Sequence, residues 1–131
     1  RTHDNTLRYK IFELIEEKSK EICDLYGCTF TMDKTWNGLP VLVNDEQLTK
    51  FVTRNAIELF GEDHVTSMNH LTLGEDFAIY LEKIPGVFWV LGVRPPEQEY
   101  LPPLHNPKMA PDEQAIKTGI ALMVENCIQI L

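Results

Sequence analysis

The side chain best suited to hold a metal ion in this chain is His105, which lies in Pro103-Leu104-His105-Asn106-Pro107. An imidazole binds Zn²⁺ or Mn²⁺ through an unprotonated nitrogen on a ring that does not swing. Two prolines this close restrict the backbone on either side of it. One histidine is not a metal site, and by spacing alone a solvated loop histidine is the favoured reading. Gly74-Glu75-Asp76 is a second feature, a glycine turn followed by two acids. At a helix start such a pair faces free amides that can point into a cleft. The helix dipole stabilises the two carboxylates there even with no ligand present. Arg1 is a third, because a guanidinium matches a carboxylate bidentately. As a first residue it is expected to be frayed and solvated instead. His3, His64 and His70 pair with no other histidine or acid at ligand spacing, so surface or cap roles are expected for them.

These residues need elements to position them. Apolar residues at Leu7, Ile11, Leu14, Ile15, Ile22, Leu25 and Tyr26 recur with a helical period, which predicts a helix over 6–26 with one buried face. Asp4 or Asn5 caps its start and Gly27 its end. Residues 28–36 alternate and predict a half-buried strand. Asn37-Gly38-Leu39-Pro40 is a turn leading into Val41-Leu42-Val43, and is expected to cross between two structural units. Leu48, Phe51, Val52, Ile57 and Phe60 predict a second helix, opened at Asn44-Asp45 and stopped by Gly61. A short strand over 65–68 and a short helix over 75–83 follow. The apolar run from Val87 to Val93 suits a strand covered on both faces, as in an α/β sheet. The proline-rich loop 94–111 is long enough to be functional or disordered. A last helix is expected over 111–131, with Pro111 and two acids in its first turn.

The formal charge of −8, with no basic run, argues against nucleic acid as a partner. No stretch reaches the roughly 20 apolar residues that a membrane helix needs, and no secretory leader is seen. The three cysteines, Cys23, Cys28 and Cys127, show no C-x-x-C spacing and read as small buried hydrophobes in a reducing, cytoplasmic compartment.

Taken in order, Gly74-Glu75-Asp76-Phe77, Val87-Phe88-Trp89-Val90-Leu91-Gly92, His105-Asn106-Pro107-Lys108 and Asp112-Glu113 resemble the C-terminal end of the metal-dependent aminoacylase and amidohydrolase family. That family includes hippurate hydrolases, auxin-conjugate hydrolases and related carboxypeptidases. Its G-G-E-D-F or G-S-E-D-F motif matches here except that Leu73 stands for the first glycine. Its H-N-P or H-H-P motif is present, with Met109 where an aromatic is usual. Arg1-Thr2-His3-Asp4 resembles the family's R-T-F-D, and residues 36–45 resemble the return from lid to catalytic domain.

The resemblance implies an α/β fold, with residues 1–40 as half of an α+β lid or dimerisation domain. Residues 41–131 would then be the C-terminal part of a catalytic sheet domain. It implies His105 as a ligand to one of two divalent ions (Zn or Mn) in the intact parent, and Arg1 as a carboxylate binder. Gly74, Glu75 and Asp76 would form a turn beside the site. The other ligands, the general base and a polarising histidine are expected upstream, so the fragment alone is expected to bind no metal and to be inactive. The implied substrate is an N-acyl amino acid or small peptide, and the implied assembly a homodimer through the lid. The competing expectation is a non-catalytic α/β remnant or partner-binding module without a complete site.

Overall fold

The computed structural model describes residues 2–34 and 38–131. Arg1 and residues 35–37 lie outside the described residues, and with them the expected carboxylate contact of Arg1 and the Trp36-Asn37 end of the crossing. The described residues form four α-helices, α1 (Asn5–Tyr26), α2 (Glu46–Phe60), α3 (Phe77–Leu81) and α4 (Gln114–Ile130), with a 3₁₀ turn at Glu62–His64. They fall into two compact units. One comprises Arg1–Asn44 and Met68–Gly86, the other Asp45–Ser67 and Val87–Leu131.

No strand or sheet forms among the described residues, which corrects the expected α/β fold. The reason lies in what a strand is. Alternation and β-branched composition make a segment willing to extend, but a ladder needs a second segment in register within hydrogen-bond reach. Residues 28–34, 65–68 and 87–93 find no such neighbour. Val93 spends its carbonyl on the Asp112 amide instead, at 2.8 Å. The run 87–93 is also not covered on both faces. Val87, Trp89, Leu91 and Val93 are half-buried, whereas Phe88, Val90 and Gly92 are exposed, Val90 by 58%.

In the first unit, Asp4 caps α1. Its carboxylate accepts from the amides of Thr6 at 2.7 Å and Leu7 at 3.1 Å, replacing two of the bonds a helix start lacks. Gly27 ends the helix at φ 65°, a conformation that costs any residue with a Cβ. The expected buried face of α1 is corrected. Leu14, Ile15 and Ile22 are 43%, 47% and 57% exposed, and no residue of the helix is buried. A helical period shows that a face is apolar, but burial needs a second surface to cover it. Ala78, on α3, is buried to 1% exposure.

In the second unit, the Asp45 carboxylate accepts from the Leu48 amide at 2.8 Å and opens α2. The Gly61 amide closes it on the Ile57 carbonyl at 2.8 Å. α2 packs against α4. Ala56 on α2 and Ala115 and Leu122 on α4 are buried, as is Asn55, whose amide donates to Asn126 Oδ1 at 2.9 Å. α4 begins three residues later than the sequence predicts. The Asp112 amide donates to the Val93 carbonyl and its carboxylate accepts from the Gln114 amide at 2.9 Å, while the cap position itself is Glu113, whose side chain makes no cap bond.

The accessible surface of the chain is 10897 Å². Two separate compact bodies of half this mass would together expose roughly 8,500 Å². Apolar side chains stand exposed on both α1 and α4: on α4, Ile116, Ile120 and Ile128 are 61%, 58% and 62% exposed.

Candidate functional site

Candidate residues occur in each unit. In the second, the loop 94–113 is pinned at its base by the Asp112–Val93 bond. Pro95 is buried and anchors its entry, and the Arg94 guanidinium donates to the Gln98 carbonyl. Two successive turns form its far side. The Asn106 amide bonds the Pro103 carbonyl at 3.2 Å, and the Met109 amide bonds the Asn106 carbonyl at 3.0 Å. Asn106 Oδ1 also accepts from the Lys108 amide at 2.9 Å, the side-chain mimic of a turn that favours Asn here. His105, exposed, is the third residue of the first turn, with φ 69°. Among the described non-glycine residues it alone has positive φ. Histidine tolerates this region better than most residues, but the conformation still costs about 1–2 kcal/mol.

In the first unit a cavity of about 520 Å³ lies where Thr2, His3 and Arg8 meet Leu39, Leu73 and Gly74. That volume lies within the range of small-ligand pockets. The neighbours of Arg1 in sequence and the glycine of the expected near-site turn thus line one cavity. Glycine suits position 74, because a Cβ there would stand 3.3 Å from Leu39 Cδ1. Glu75 Oε1 accepts from the Phe77 amide at 3.2 Å and so serves the start of α3. Asp76 is exposed and makes no side-chain cap bond. The rings of His3 and His70 stand 5.6 Å apart at 56°. Their 67-residue separation hides this in the sequence, which offers no spacing signal for the pair. Arg8 was also not singled out by the sequence. Its guanidinium lies 4.9 Å from the centre of the Tyr9 ring, and Nη2 donates to the Tyr9 hydroxyl at 3.1 Å. With Arg8 and His3 among apolar walls, the cavity can hold an anion bearing an apolar group. Among the described residues no three His, Cys, Asp or Glu side chains are grouped to hold a metal ion.

The family model for peptidase family M20/M25/M40 matches residues 4–128. The chain belongs to this family. It is 34% identical over 110 residues to a probable hydrolase of Synechocystis, covering 83% of this chain and 28% of that protein. It is 31% identical to the N-acetyldiaminopimelate deacetylase of Limosilactobacillus reuteri, over 87% of this chain and 29% of the deacetylase. With an IAA-amino acid hydrolase of Arabidopsis thaliana the identity is 27%, over 93% of this chain and 27% of the plant protein. No solved structure matches the chain. The M20/M25/M40 chain thus spans under a third of the length of these relatives. No helix among its described residues is long and apolar enough to cross a membrane.

Proposed function

We propose that the chain is the part of an M20-type amidohydrolase that carries one metal-ligand loop, the whole enzyme cleaving the amide bond of N-acyl amino acids or small peptides to a carboxylate and an amine. The observation that carries this reading is the left-handed backbone of His105 within the hydrogen-bonded turn 103–106. Such strain persists where the surrounding bonds hold it, and it clusters at functional positions. The printed names of two relatives, an N-acetyldiaminopimelate deacetylase and an IAA-amino acid hydrolase, support the substrate class.

His105 is proposed to ligate one of two divalent ions, Zn or Mn, at about 2.0–2.1 Å in the whole enzyme. The described residues do not by themselves fit a two-metal centre, because no three His, Cys, Asp or Glu side chains among them are grouped around His105 or elsewhere. The remaining ligands and the general base are proposed for other segments of the whole protein. Arg1 and the turn Gly74, Glu75 and Asp76 are proposed to border the substrate. The cavity shared by Thr2, Arg8 and Gly74 supports a binding role for that unit. Residues 1–40 are proposed as the lid part, through which the whole enzyme would dimerise.

The test is His105→Ala in the whole enzyme, read by metal content and by turnover of N-acetyl and N-benzoyl amino acids. One ion and most activity should be lost with the circular dichroism unchanged, since a loop side chain contributes little to a core. Full metal content and turnover in the variant would rule out the role. The 131-residue chain alone should hydrolyse none of these substrates, and chelator-sensitive hydrolysis by it would refute the division of labour.

A further inference from the structure

Cys23 and Cys28 are brought together by the way α1 ends. Both the Gly27 and the Cys28 amides donate to the Cys23 carbonyl, the latter at 3.0 Å, and Gly27 turns the chain at φ 65°. This closure brings the side chain four residues before Gly27 towards the one just after it, where a pair of apolar residues usually meets. Here both are thiols, and neither is in a disulfide. The neighbouring Cys28 thiol and burial push the Cys23 thiol's pKa up. Cys28 is exposed and Cys23 half-buried, so an oxidant reaches Cys28 first.

We propose that Cys23 and Cys28 form a reversible disulfide across the end of α1, a redox modification site whose oxidant is a peroxide. In the first step the Cys28 thiolate attacks one peroxide oxygen. An S–O bond forms, the O–O bond breaks, and the leaving hydroxide takes a proton to become water. Cys28 is then a sulfenic acid, oxidised by two electrons, and the peroxide is reduced. Cys23 gives up its proton and attacks the Cys28 sulfur. The S–S bond forms, the S–O bond breaks, and a second water leaves. A dithiol reductant reverses the link by thiol–disulfide exchange. The helix end has already closed the six-residue loop, so the second step competes well against further oxidation of the sulfenic acid. The link would fix the direction in which residues 28–34 leave the helix.

The experiment exposes the Cys127→Ser chain to hydrogen peroxide, with and without urea, followed by alkylation and tryptic mass spectrometry. Lys20 and Lys34 bracket both cysteines in one peptide. The expected product is that peptide lighter by two hydrogens, formed faster in the native chain than in urea and restored by dithiothreitol. Gly27→Val opposes the positive φ and should slow native linkage about tenfold while leaving the rate in urea unchanged. Linkage no faster in the native chain than in urea would overturn the proposal. So would a sulfinic acid on Cys28 with Cys23 still open to alkylation.

Discussion

Replacing Asn55 by leucine should leave the α2–α4 pair as stable as before or more so, whereas truncating its partner should destabilise it. Asn55 is 1% exposed, and its amide donates to Asn126 Oδ1 at 2.9 Å. Asn55 Oδ1 is itself buried with no hydrogen-bond partner. Asn126→Ala removes the one acceptor and strands the Asn55 amide beside its unpaired carbonyl, at a cost of about 1–3 kcal/mol. Asn55→Leu loses one neutral hydrogen bond, worth about 1 kcal/mol. It also removes an unpaired buried carbonyl, whose burial costs about 1–3 kcal/mol, and buries apolar atoms in its place. Asn126 is only half-buried, so water can satisfy what remains of it. The net change for Asn55→Leu is therefore zero to about 2 kcal/mol of added stability. Urea unfolding followed by Trp89 fluorescence and helix ellipticity checks this through the midpoint, with the slope held constant. Combining both changes should cost no more than Asn55→Leu alone, because the partner has nothing left to strand. A loss of about 2 kcal/mol or more on Asn55→Leu would show that the amide is better paired than this reasoning allows.

Glu16 should carry the clearest acid dependence. Hydrogen bonds from Lys20 and Lys34 lower its carboxyl from 4.5 to about 2, so its contribution is complete above about 4.5 and is lost as the pH falls towards 2. Glu16→Gln should flatten stability over that window, and a carboxyl NMR titration with a midpoint near 4.5 would contradict the lysine contacts. Asp112→Ala removes the side-chain acceptor of the Gln114 amide and should cost about 1 kcal/mol in urea unfolding, whereas Asp112→Asn should restore most of it. His105→Gly should be more stable in urea unfolding than His105→Ala by up to about 1 kcal/mol, because glycine accepts φ 69° without a Cβ clash. Equal midpoints would mean that the loop relaxes once the imidazole is gone.

The helices were legible in the sequence because their signals are local. Asp4 and Gly27 bound α1, Asp45 and Gly61 bound α2, and each acts through a bond to its own or the next turn. The family was legible too, since the order of the G-E-D-F and H-N-P segments is a property of the chain and needs no contact to be read. The start of α4 was missed by three residues, where the Ala115 and Ile116 amides make tighter bonds to the Asp112 and Glu113 carbonyls three residues back.

The sheet and the buried faces were read from pattern alone, and there the pattern misleads. Residues 87–93 and the apolar stripe of α1 state what each surface would bury, but cover and ladder partners come from other segments. Likewise only the fold decided that His3 meets His70 across 67 residues, that Gly74 lines a cavity with Arg8, and that His105 has a left-handed backbone. Caps, turns and periodicity are set by bonds within a few residues, which one sequence states directly. Burial, pairing and cavity walls are set by contacts between distant segments, and those exist only once the chain has folded.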